Sequence, residues 1–173
     1  FESAMSNPHV PTLSGAMRFS STQSSLALLE TLHVSHTSLA NNHSRDYGRE
    51  GHAYASASLH ALGIESFGDA VTVSSSSLTY AKVGSTTIAV LGIHTLFIPP
   101  DRMIMKNLLS EAKSTSDLQF VYIHWGDEYE LIHNRNQEEL ATWFAQEGVD
   151  AVIGHHPHVV QDIGLIENMP VFY

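Results

Sequence analysis

The chain has 173 residues, 43 % hydrophobic and 15 % charged, with no cysteine. That length and balance suit one globular domain with a real core, and exclude a disordered chain, a disulfide framework and a thiolate metal site. With 18 acidic against 8 basic side chains the formal charge is −10, which argues against nucleic acid or anionic lipid as a partner. Such a domain would handle an anionic substrate through bound cations or a local basic pocket.

From the amino end, Leu28, Leu29 and Leu32 at helical spacing predict an amphipathic helix over 24–32. A β-branched strand over 34–40 follows. Asp46 is a plausible N-cap for a helix over 48–62, with Ala55, Leu59 and Leu62 inward and Gly63 as its stop. Residues 78–84 and 86–93, split at Gly84-Ser85, read as a strand pair, and 102–114 as a further helix. A buried strand at 120–123 comes next, then a helix over 137–147 with Leu140, Trp143 and Phe144 on one face. Residues 151–153, 163–166 and 170–173 complete the strands. The strands near 34–40, 86–93, 120–123 and 151–153 are expected in one sheet flanked by helices, so the fold class is α/β. The longest apolar runs, near 88–93 and 120–123, are too short to span a membrane.

Histidine is the compositional oddity, with 12 in the chain. Asn41-Asn42-His43, His124-Trp125-Gly126 and Gly154-His155-His156-Pro157-His158 each follow a predicted buried strand. In an α/β sheet the carboxyl ends of the strands gather at one edge, where ligands bind. One histidine in a loop is ordinarily a solvated polar residue. Three imidazole-bearing loops at one edge point to a metal site. His156 and His158 form an H-x-H pair whose rings, on an extended chain, face one side, and Pro157 limits the entropy lost on chelation. Asn42 offers a neutral amide oxygen to a hard or borderline cation, and His43 beside it could protonate a leaving group. Asp46 is read as a cap first and as a contact to His43 second. Glu128 and Glu130 read as a solvated loop or the site mouth. His9, His33, His36, His94 and His133 have no spacing that pairs them.

Several stretches resemble the bacterial capsule synthesis family that includes the poly-gamma-glutamate protein CapA. They are Ser38-Leu39-Ala40-Asn41-Asn42-His43, Asp46-Tyr47-Gly48, Glu50-Gly51, His124-Trp125-Gly126 with Glu128-Tyr129, Gln137 with Leu140-Ala141, and 152–161. The resemblance runs along nearly the whole chain. It implies a layered sandwich of mixed β-sheet flanked by helices, related to calcineurin-like metallophosphoesterases and 5′-nucleotidases, with a two-metal site. It also implies that 1–173 is a single such domain truncated at both ends. A Gly-Asp strand motif and an asparagine would precede Phe1, and a Ser-Leu-Gly-Asn-Phe segment would follow Tyr173.

Residue by residue, the resemblance implies Glu2, Asn42, His124, His156 and His158 as metal ligands and His43 as the group acting on the leaving group. Asn41, His155 and Asp46 fall to supporting or substrate contacts. The implied cofactors are divalent ions: Mn, Zn, Fe or Mg. Implied partners are an anionic polymer or phosphoester substrate and membrane-bound capsule synthesis components, at the cell surface. Two functions compete: hydrolysis of a phosphoester, and non-hydrolytic holding or export of an anionic polymer in an envelope complex. A pure scaffold accounts poorly for so many imidazoles.

Overall fold

A computed structural model describes residues 1–5 and 18–173 of the chain; His9 lies outside the described residues. The apolar segments assemble a six-stranded sheet. Strand β5 (Leu78–Val83) runs antiparallel to β6 (Thr86–His94) through the turn at Gly84, whose φ of +62° suits glycine. Strands β7 (Leu118–His124), β8 (Ala151–His155) and β10 (Met169–Phe172) add parallel to β6, in that order. Strand β9 (Ile163–Ile166) closes the far edge antiparallel to β10. Its connection is Glu167-Asn168, both at positive φ, as a two-residue hairpin turn of matching twist requires.

The parallel part needs crossovers, and helices supply them. Helix α3 (Arg102–Thr115) joins β6 to β7 and is capped by Asp101, whose Oδ1 accepts from the backbone N–H of Met103 and Ile104. Helix α4 (Arg135–Gln146) joins β7 to β8. Its N-terminus is a reciprocal cap: Asn134 accepts from the Gln137 N–H and Gln137 Oε1 accepts from the Asn134 N–H. Leu91, Ile93, Val121, Ile123 and Val152 from the sheet pack with Met105, Leu108, Leu109 and Phe144 from these helices into the main core. Burying each such side chain stabilises the fold by roughly 1.5–3 kcal/mol before entropy is counted.

A second layer covers the chain's first third. Strand β1 (Ala4–Met5) pairs with β2 (Ser20–Ser21), and β3 (His36–Ser38) with β4 (Glu65–Phe67), both in parallel. Helices α1 (Gln23–Thr31) and α2 (Gly48–Ala61) share a smaller core with them, built on Met5, Leu26, Leu39, Ala55, Leu59 and Ile64.

This layer corrects three expectations. The strand expected over 34–40 is shorter and stands apart from the large sheet, because β4 takes it as a partner. A Cβ at Gly92 of β6 would lie 2.7 Å from the Phe67 ring, so the two sheets approach where that side chain is missing. Helix α1 buries Leu26, while Leu28 and Leu32 are exposed. Tyr47, not Asp46, is the N-cap of α2 and makes no side-chain cap bond.

Candidate metal centre

Strands β6, β7 and β8 end in a row of histidines, because His94 pairs in register with His124 and His124 with His155. His124 is fully buried at its centre. Its Nδ1 lies 2.8 Å from His155 Nδ1, and its Nε2 lies 2.8 Å from Asn42 Oδ1. An amide oxygen cannot donate, so in this arrangement His124 donates its Nε2–H to Asn42 Oδ1, and its Nδ1 accepts a hydrogen bond from the His155 Nδ1–H. With the proton on His124 Nδ1 instead, Nε2 and Asn42 Oδ1 would each turn a lone pair toward one shared cation.

His156 and His158 come from the loop after β8. Their backbones are not extended as expected: φ is 106° at His156 and 58° at His158. The chain kinks there, yet the two rings still lie 5.7 Å apart, with His156 4.5 Å from the His124 ring. Glu2 reaches in from the N-terminal segment. Its Oε1 is 3.7 Å from His124 Nε2 and 3.6 Å from His158 Nε2. Ligand atoms of Glu2, His124 and His156 all lie within 4.8 Å of one another. Glu2 Oε1 and His156 Nδ1 are buried and have no hydrogen-bond partner among the described residues. Buried lone pairs with nothing to accept are costly in a protein, and a cation would satisfy both.

The Asn41-Asn42-His43 turn is held by its first residue. Asn41 Oδ1 accepts the His43 N–H at 3.0 Å, and Asn41 Nδ2 donates to the Phe1 carbonyl at 2.9 Å. One buried side chain thus fixes the turn and the segment carrying Glu2. Asp46, expected first as a cap, instead accepts from His43 Nδ1 at 2.9 Å and from the Phe19 N–H at 2.8 Å. The Phe19 ring meets His43 edge-on.

Burial dominates the electrostatics. It pushes His124 far below the usual imidazole range, helped by the neighbouring His155, His156, His94 and His158. It takes His155 down to about 3 and lowers His156 and His94. Burial therefore favours the neutral form of these four imidazoles, the form that ligates metal. Burial also raises Glu2, with His158 and His43 offsetting part of that rise.

His94 is the residue that spacing alone missed. It directly follows the predicted strand 86–93, and so obeys the same rule that singled out the other three loops. Its Nδ1–H donates to the Ala70 carbonyl, and its Nε2 is buried with no hydrogen-bond partner among the described residues. His133 is tied to Asp162 and stacked on Tyr173.

Against this geometry, the model of the bacterial capsule synthesis protein family PGA_cap matches residues 1–173. The chain belongs to that family. Within this capsule synthesis family it is 30 % identical over 167 residues to the PGA biosynthesis protein CapA of Bacillus subtilis, and 31 % over 160 residues to the capsule biosynthesis protein CapA of Bacillus anthracis. Those alignments cover 86 % and 78 % of this chain but only 43 % and 37 % of the relatives' lengths. Among solved structures, it resembles a Staphylococcus aureus protein assigned as a 5′-nucleotidase in complex with alpha-ketoglutarate (TM-score 0.62, 20 % identity, 88 % of this chain, 34 % of that one). It also resembles the Thermus thermophilus sulfate thiohydrolase SoxB in complex with glycerol (TM-score 0.58, 13 % identity, 87 % and 29 %). At such identities the likeness speaks to fold, and the fold is the metallophosphoesterase-like one expected from the sequence.

Proposed function

We propose that this domain hydrolyses a phosphoester in bacterial capsule or poly-gamma-glutamate biosynthesis at the cell surface, using divalent metal. The observation carrying this reading is the meeting of Glu2, Asn42, His124 and His156 from four separate segments, with buried lone pairs left unpartnered. Together with His158 they would hold Mn, Zn, Fe or Mg. A cation bound there supplies Lewis acidity toward a phosphoryl oxygen and lowers the pKa of water.

The chain's own residues supply orientation and protons. Asp46 accepts the His43 Nδ1–H, which leaves Nε2 as the nitrogen that exchanges a proton with a leaving group. His43 is near enough for its charge to bear on Glu2 and His156. His155 fixes the ring of His124, as partners of metal-bound histidines commonly do. A cavity of about 520 Å³ beside Glu2, His156 and His158 leaves room for substrate.

The named relatives favour a second reading. Poly-gamma-glutamate has no phosphoester, so the same centre could hold or pass on an anionic polymer without cleaving it. A phosphoester screen on the metal-loaded full-length protein separates the two. Hydrolysis predicts turnover that His43→Ala lowers by about a hundredfold or more while metal stays bound. Metal binding with no turnover on any phosphoester supports the holding role instead.

A further inference from the structure

We propose that a cavity beside the metal centre receives the organic arm of a phosphoester, and that His94 accepts a hydrogen bond from an uncharged O–H or N–H on that arm. This names a substrate class within the phosphoester reading above and rests on that reading. The cavity, of about 220 Å³, has His94, Asp69, Val71, Ile98, Pro99 and Ile104 among its lining residues.

His94 ends β6 in register with His124, and the two rings lie 5.5 Å apart. The His94 ring is buried, meets Phe97 edge-on, and has its Nδ1 spent on the Ala70 carbonyl at 3.0 Å. The neutral ring then has only a lone pair at Nε2, with no hydrogen-bond partner among the described residues. Within the same residues, no group of side chains able to hold a cation includes His94. A buried acceptor left empty in the wall of a cavity is served by a donor that enters the cavity.

The rest of the lining selects against charge. Asp69 Oδ1 accepts from the Val71 and Thr72 N–H groups, and its Oδ2 from the Arg45 guanidinium. Asp101 Oδ1 accepts from the Met103 and Ile104 N–H groups, so the first turn of α3 is served by its own cap. No Lys or Arg lines the cavity among the described residues. A carboxylate or a second phosphate entering here would meet two carboxylates and a lone pair, with no lining cation to offset them. Val71, Ile98 and Ile104 are exposed apolar side chains around the same cavity, suited to a carbon chain. Mostly apolar walls with one placed acceptor are how a pocket orients a small uncharged group.

The test is calorimetry of the Mn(II)-loaded, full-length protein with phosphonates, which bind without being cleaved. Alkyl, ω-hydroxyalkyl and ω-carboxyalkyl phosphonates with arms of two to four carbons are compared at equal length. For at least one length the hydroxyl should tighten binding by about fivefold or more, and the carboxylate should not. Two variants separate the free acceptor from the Ala70 bond. An asparagine amide can replace Nδ1–H toward Ala70 but offers no acceptor at Nε2, so His94→Asn should lose the hydroxyl preference. The longer glutamine amide offers an acceptor near Nε2, so His94→Gln should keep most of it. The reverse order, or equal binding of alkyl and hydroxyalkyl probes by the wild type, would overturn the subsite and leave the phosphoester reading standing. Preference for the carboxylate probe would overturn the assignment to an uncharged arm. Failure of every phosphonate to bind the metal-loaded protein would overturn the phosphoester reading and the subsite with it.

Discussion

His94, His124 and His155 stand in register at the ends of three paired strands, whereas Glu2, Asn42 and His43 hang on a few side-chain hydrogen bonds. The first group inherits its position from continuous ladders and a core of large buried side chains on one face of the sheet. The second sits beside two-stranded sheets of two or three residues per strand, over a smaller core. Side chains on a sheet edge need little further support to stay in place. Those on turns need a dedicated residue each, here Asn41 and Asp46. The two halves should therefore answer differently to mutation.

The largest effect is expected where the halves meet. His156→Ala removes the imidazole grouped with Glu2 and His124, and Zn(II) or Mn(II) affinity at pH 7.5 should fall by about a hundredfold. Unchanged affinity in a competition titration would dissolve the site. Next comes the turn. Asn41→Ala strands the His43 N–H and the Phe1 carbonyl, which should cost roughly 1–3 kcal/mol in urea unfolding and weaken metal binding through Glu2 and Asn42. A loss of stability with metal affinity intact would show that the turn does not place the ligands.

Acid should act on the sheet half. His124, His155, His156 and His94 all have folded pKa values below their unfolded value near 6.5. Below that pH the unfolded chain takes up protons that the folded chain refuses, so stability falls as pH drops. Each such group steepens the loss by up to about 1.4 kcal/mol per pH unit. Glu2, raised by burial, works in the opposite direction but is one group against several. For metal-free protein, the urea midpoint should fall from pH 7.5 to 5.5, less steeply in His155→Phe than in the wild type. A flat profile would mean that these rings are not held neutral by the fold.

The smallest effect is the counterpart of Asn41 on the sheet side. Thr95 Oγ1 makes a long 3.5 Å bond to the His124 carbonyl, which the Thr95 N–H already serves. Thr95→Val should cost no more than about 0.5 kcal/mol and leave metal affinity unchanged. A cost near that of Asn41→Ala would erase the contrast between the halves.

The same contrast explains what could be read from the sequence. The sheet half was legible, because 88–93, 120–123 and 151–153 are apolar runs and histidines follow them. His94 follows its strand as His124 does, but it lies in none of the stretches that carry the family resemblance. The turn half was legible in residue type but not in arrangement. Glu65-Ser66-Phe67 has too little pattern to announce a strand, so the partner of β3 went unseen and the two layers merged into one. Asp46 looked like a cap because its position before a helix fits that role, and only tertiary contact with His43 and Phe19 reveals the other. Glu2 carries no local signal, and only the family resemblance pointed to it.

Crystals of the full-length protein soaked in Mn(II) would test the central claim most directly, through anomalous scattering at the manganese edge. A peak bounded by Glu2, Asn42, His124 and His156 is the expected result. Ordered side chains there with no anomalous signal, or manganese bound only elsewhere, would contradict it.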